Sequence, residues 1–228
     1  MCIRIDVISG VPNLMESALS DSILENAQKK GLAEIRLHNL RDYSVDKHKT
    51  IDDTPYGGGA GMVLKIEPIF KCLEALKSER EYDEIIYLSP KGERYNQKMA
   101  VELSLKKNIV LLCGHYKGID NRVVETLITR EISIGDYVLT GGEIPALVLI
   151  DSIVRLIPGV VGDAESLLSD SFQEDLLGAP QYTKPAEFMG LKVPGVLLSG
   201  DHKKINEWRH LEAKKLTEKR KTDILKKN

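Results

Sequence analysis

Residues 134–142, IGDYVLTGG, place Gly135, Gly141 and Gly142 directly before an apolar helical run, EIPALVLIDSIVRL. A glycine turn feeding a helix usually cradles a phosphate, because the helix start presents free N–H groups and a positive dipole end. Two observations argue against phosphate here. Glu143, not a basic residue, follows the glycines, and neither G-x-G-x-x-G nor G-x-x-x-x-G-K-[ST] occurs in the chain. Two further segments share this make-up, YLSPKG (87–92) and CGHYKG (113–118). All three combine small residues with a tyrosine (Tyr87, Tyr116, Tyr137) and leave backbone N–H and C=O groups available. Such a set suits a purine-containing cofactor: main-chain groups read an adenine edge, and glycines let the loops close on ribose and a tail. One such turn only reverses a chain; three of them point to a site.

A fourth segment is RDYSVDKHKTIDDTPYGGGAGM (41–62), long, polar and ending in Gly57, Gly58, Gly59 and Gly61. Long loops in compact domains are usually functional or disordered. Glycine backbone admits a flat ligand closely, and Asp52 and Asp53 can accept from base or ribose donors; a flexible loop without a partner is the alternative. On local sequence alone, Asp170 reads as an N-cap for SFQEDLL and Arg155 as an ion-pair partner at a helix end.

Positioning these segments requires strands that end in them. The β-branched runs 3–8, 33–38, 84–90 and 109–114 read as strands. Helical spacing predicts a helix from Leu14 to a C-cap at Gly31, a second over KIEPIFKCLEALKSE and a third over NQKMAVELSLKK. Strand–helix alternation with nearly continuous apolar strands implies an α/β domain around a mainly parallel sheet, with its ligand site at the strand carboxyl ends. The 228 residues, 42% apolar and 29% charged, can bury a core without staples. No stretch approaches a membrane span, so no membrane partner is expected. Arg4 and Asp6 within the first apolar run argue for a first strand and against a signal peptide. Three scattered cysteines and five histidines without ligand-like pairing give no disulfide framework and no metal site, and place the chain in the reducing cytoplasm. Residues 157–185 are rich in Gly, Pro, Ser and Asp, as in a linker. Residues 202–228 then carry ten Lys/Arg against four acids, a net of +6, whereas residues 1–201 carry 22 against 30, a net of −8. A basic tail on an acidic body points to a polyanion such as nucleic acid, or to a solvated helix.

The motifs DDTPYGGGAGM, IIYLSPKG, LLCGHYKGID, SIGDYVLTGGEIPALVLIDSIVRLIPGVVG, DSF, PQYTKP and VPGVLLSGDH, in this order, resemble the bacterial tRNA (guanine-37-N1)-methyltransferases. These belong to the SPOUT class, whose sheet carries a deep trefoil knot. The resemblance implies an α/β fold, mainly parallel and knotted, over 1–160, a linker over 161–172, and a small basic helical tRNA-binding domain over 173–228. It implies S-adenosylmethionine as methyl donor and N1 of guanosine 37, beside the anticodon, as acceptor. Carried over by position, Tyr87, Leu88, Ser89 and Pro90 form one cofactor wall and Gly114 and Tyr116 a second. Ile134, Gly135, Asp136, Tyr137, Val138, Leu139, Gly141 and Gly142 form the third, so that the glycines make room for the cofactor. Asp170 falls on the general base and Arg155 on the group that stabilises charge at O6, in a site shared across a homodimer. His48, Lys49, Asp52, Gly61 and Arg209 fall on tRNA contacts. Two positions depart from the pattern. Lys117 stands where members commonly carry Glu, which leaves a magnesium requirement open, and Ala60 replaces a common proline. The alternatives are a knotted methyltransferase acting on another RNA site and a non-catalytic RNA binder.

Overall fold

A computed structural model describes residues 2–162 and 176–225. Five strands form one sheet: β1 (Ile3–Ser9), β2 (Ala33–Asn39), β5 (Glu84–Arg94), β6 (Asn108–Cys113) and β7 (Arg130–Ser133). Their order is β2-β1-β6-β5-β7, and every pairing is parallel. Both faces are covered, as a parallel sheet requires. One face packs on α1 (Asn13–Leu19), α2 (Ser22–Lys29), α4 (Gln97–Ser104) and α6 (Glu143–Val154), the other on α3 (Ile66–Glu79) and α5 (Asn121–Leu127). β6 shows the division: Ile109, Leu111 and Cys113 enter the first core, Val110 and Leu112 the second. Each fully buried Leu or Ile contributes roughly 1.5–3 kcal/mol, so this two-sided core anchors the strands whose ends carry the site.

The structure departs from the sequence pattern in three places. The helix expected over 14–31 is two helices, because Asp21 takes an extended conformation and its side chain accepts from Ser22 N–H (2.6 Å). Such a local cap competes with helix continuation. Gly31 holds the C-terminal position expected of it, with φ +66°. The 41–62 segment is not structureless: a short 3₁₀ turn occupies Leu40–Tyr43, and β3 (Asp52–Asp53) pairs antiparallel with β4 (Val63–Leu64), closing the glycine-rich loop at its base. Third, β5 extends to Arg94 through a register shift between Leu88 and Glu93.

The first strand, β1, carries buried charge. Asp6 accepts two bonds from Arg4 (2.7 Å each) and one from the Tyr82 hydroxyl (2.8 Å), and lies 2.6 Å from His38 Nε2. Burial works to raise the Asp6 pKa, but the His38, Arg4 and Tyr82 contacts outweigh it and hold the carboxyl well below the usual carboxylate range.

The chain divides into two compact units, Met1–Gly162 and Asp163–Asn228. In the second, β8 (Glu187–Phe188) and β9 (Leu191–Lys192) form a hairpin, followed by α7 (Gly195–Leu198) and the long helix α8 (His202–Leu225). Tyr182 packs against Trp208 with ring centroids 6.3 Å apart, and Leu177 N–H donates to Thr217 Oγ1 (2.9 Å). No described helix is long and apolar enough to cross a membrane.

Candidate active site

The carboxyl ends of β5, β6 and β7 are neighbours in the sheet, so the three loops that leave them converge. They enclose a cavity of about 400 Å3, within the range of small-molecule sites. Every residue assigned from sequence to the three cofactor walls lines it, except Asp136. Asp136 is exposed and lies 3.5 Å from Arg94. Lys91, His115, Glu131 and Pro145, which the sequence pattern did not single out, also line the cavity, as does Lys117, noted there only as a departure from the family pattern. Their signal was adjacency to motif residues, which does not distinguish a side chain facing the cavity from one facing away.

The glycines expected to make room for a ligand make room chiefly for the protein itself. A Cβ on Gly142 would stand 2.6 Å from Cys113 Cα and 2.7 Å from Gly114 N, where the third loop crosses the second. At that crossing Gly142 N–H donates to Gly114 C=O (2.8 Å), and His115 bridges to Gly141. Gly141 is covered by the Glu143 carboxylate, and Gly135 (φ +153°) by the Tyr137 ring. Gly92 lets β5 pass the backbone of Glu131 and Ile132, which a Cβ would meet at 2.4 Å. The loops can therefore pack backbone on backbone and still leave main-chain groups lining the cavity.

Side chains beneath the loops hold this arrangement. Tyr87, only 7% exposed, lies under Gly114, whose Cβ would meet its ring at 3.0 Å. Burial, reinforced by the Glu131 charge, raises its pKa, against hydrogen bonds from the Ile119 backbone and Ser89, so it serves as a neutral phenol. Glu143, 3% exposed, accepts from Ser9 Oγ at the end of β1 (2.6 Å), and Ser9 Oγ accepts from Val11 N–H (2.9 Å). The acid that argued against phosphate is thus a tie between α6 and the sheet. Burial, with the Glu143 charge, pushes the Cys113 thiol well up, so it is not a nucleophile.

The glycine-rich loop adjoins this cavity. Leu64 N–H donates to Gly118 C=O (3.0 Å), Asp120 N–H to Leu64 C=O (3.0 Å), and Lys117 N–H to Met62 C=O (3.0 Å). Asp52, half-buried in the β3–β4 ladder, and Gly61 therefore sit beside the second wall. His48 and Lys49 lie on an exposed turn organised by Asp46, which accepts from His48 N–H (2.8 Å) and Ser44 Oγ (3.0 Å) and from Thr50. These bonds, those of Thr50 first, hold the Asp46 carboxyl well below its ordinary range. Lys49 pairs with Asp42 at 3.1 Å.

Arg155 is not brought to the cavity of its own chain. It caps the end of α6 opposite Glu143, about 18 Å along the axis at 1.5 Å per residue. Asp170 lies outside the described residues. Arg209 is exposed on α8, in the other unit. Among the described residues, no group of three His, Cys, Asp or Glu could hold a metal ion.

A parallel five-stranded sheet with a loop-walled cavity at its carboxyl ends defines an α/β protein whose candidate ligand site lies where such sheets place theirs. Residues 3–227 match the family described as tRNA (Guanine-1)-methyltransferase TrmD, and the chain belongs to that family. A Bacteroides thetaiotaomicron protein named tRNA (guanine-N(1)-)-methyltransferase is 57% identical over 97% of this chain and 99% of its own length. Proteins of the same name from Christiangramia forsetii and Chlorobaculum tepidum are 58% and 54% identical, each over 97% of this chain and over 98% and 96% of their own lengths.

Proposed function

We propose that this chain transfers the methyl group of S-adenosylmethionine to N1 of guanosine 37 in tRNA. The observation that carries the reading is the convergence of three strand-end loops on one cavity, in a chain that matches the tRNA guanine-methyltransferase family along nearly its whole length. The walls fit the cofactor chemically. They offer backbone groups and small residues for an adenine edge and ribose, and this cofactor needs no phosphate cradle. When bound, S-adenosylmethionine supplies an electrophilic methyl on a sulfonium. Trefoil threading of the chain accompanies the reading, supported by the close backbone crossings at Gly92 and Gly142.

Guanine N1 carries a proton at neutral pH and is a poor nucleophile until it leaves. Asp170 accepts that proton as general base, a role worth roughly 10²–10⁴-fold. The negative charge moves toward O6, where the Arg155 guanidinium stabilises it. Since Arg155 stands at the far end of α6 from its own cavity, the site is completed by a second copy in a homodimer. The outward stripe of α6 supports this: Ile144, Val148 and Asp151 are exposed on the face that continues to Arg155. Residues 161–172 are read as a linker and 173–228, which include Arg209, as a basic tRNA-binding domain; His48, Lys49, Asp52 and Gly61 are assigned to further tRNA contacts. A tRNA substrate also places the enzyme in the cytoplasm.

The test is transfer from labelled S-adenosylmethionine to unmodified tRNA bearing guanosine at 37, beside the same tRNA bearing adenosine there. Methylation at N1 of the guanosine tRNA alone, abolished by Asp170→Ala with cofactor binding intact, is expected. Transfer to both tRNAs, or to neither, would overturn the reading.

A further inference from the structure

The glycine-rich loop and the cavity meet at one side chain, Lys117. Its N–H donates to Met62 C=O, and its Cγ, Cδ and Cε lie 3.1, 3.2 and 3.0 Å from the point where a Cβ of Gly61 would stand. Gly61 has φ +93°, so the loop keeps a bare, left-handed residue where the lysine stem crosses it. The stem therefore runs from the cavity wall over the loop. Basic side chains on the adjoining stretches are committed to acids: Lys49 to Asp42 at 3.1 Å, Lys65 to Asp46 at 3.9 Å, and Arg122 to Asp120 at 2.7 Å. Lys117 is exposed and has no acidic partner among the described residues. Nothing lies within 4 Å of the Cβ positions of Gly57, Gly58 and Gly59, so a planar group can lie on that backbone.

A cation held by its stem, beside an open glycine surface and on the rim of a cofactor cavity, is placed to meet the anion that accompanies a nucleobase. We propose that Lys117 binds a backbone phosphate of the RNA whose bases lie against residues 54–62. This rests on the reading of the chain as a tRNA-modifying enzyme. It adds a specific phosphate contact, and with it a salt dependence, to the seam between the cofactor cavity and the RNA surface. Neutralising one phosphate releases condensed counterion, so the contact is legible as the slope of binding against salt.

The experiment compares full-length enzyme with Lys117→Met, which keeps the stem on Gly61 and removes the charge, and Lys117→Arg, which keeps the charge. Binding of unmodified tRNA is measured in the presence of S-adenosylhomocysteine across a series of potassium chloride concentrations, with cofactor affinity and thermal unfolding measured alongside. The expected result is a slope of log K against log salt shallower by about one in Lys117→Met. The slope is unchanged in Lys117→Arg. A wild-type slope in Lys117→Met would mean a merely solvated lysine and would overturn the proposal. Weakened cofactor binding with an unchanged slope would also overturn it, by assigning the ammonium to the cofactor's carboxylate. Failure of the wild type to methylate the tRNA would strike the underlying reading instead. An unaffected slope in an enzyme that does methylate strikes this proposal alone.

Discussion

At the scale of single residues, the site depends on what is missing as much as on what is present. Gly142 has an ordinary negative φ (−82°), so its requirement is steric: Cys113 and Gly114 backbone atoms occupy the space a methyl would need. Gly142→Ala should therefore cost roughly 1–3 kcal/mol or more, as overpacking against unyielding atoms does, and should lower cofactor affinity with it. Gly162→Ala meets nothing within 4 Å and should stay within about 0.5 kcal/mol of wild type. Thermal unfolding with calorimetric cofactor titration distinguishes the two; equal behaviour would mean that the loop crossing is slack. Arg155 makes the opposite kind of prediction. Its distance from the cavity of its own chain means that Arg155→Ala should leave cofactor affinity unchanged while lowering kcat by roughly 10²–10³-fold, the usual loss for one charge-stabilising donor. Single-turnover kinetics at saturating cofactor would read the chemical step directly. The glycines were legible as a pattern, but not their occupants, because Tyr87, Glu143 and the 113–114 backbone reach them from other elements.

At the scale of elements, β1 and α6 carry the two features that the sequence pattern least explains. The Arg4–Asp6 pair sits on a strand buried on both faces, where apolar residues would be expected. Asp6 stays ionised in the folded chain to lower pH than in the unfolded chain, where an aspartate titrates near 3.9. Its contribution to stability is therefore complete above that value and is lost as pH falls through the folded pKa. Asp6→Asn should cost about 3 kcal/mol at neutral pH, since it leaves Arg4 with Glu34 alone, and should flatten the decline in melting temperature below about pH 4. Parallel acid titrations of wild type and variant by circular dichroism would show this; superimposable curves would remove Asp6 from the account. The outward stripe of α6 gives a second test. Val148 is exposed, so Val148→Glu should leave the fold intact, shift sedimentation to the monomer and abolish transfer. A dimeric, active variant would move the interface elsewhere.

At the scale of the whole molecule, both core clusters lie within Met1–Gly162. A chain ending at residue 162 should unfold cooperatively and bind cofactor yet fail to methylate tRNA; retained transfer would remove the C-terminal unit from catalysis. The sequence by itself determined the class of fold, because apolar runs without alternation demand a sheet covered on both faces, and short apolar strands alternating with helices demand parallel pairing. It also determined the family, because the motifs recur in order along nearly the whole chain. It determined which loops could form a site, since small residues at three strand ends are a local property. Tertiary structure decided the rest. The strand order β2-β1-β6-β5-β7 made those three loops neighbours. Backbone crossings decided what the glycines make room for, and the axis of α6 carried Arg155 away from the cavity of its own chain. Only the pairing of β4 with residues 117–120 brought Lys117 across Gly61, more than fifty positions earlier in the chain. Contacts of that range are set by the packing of distant elements on one core, and no window of local sequence contains them.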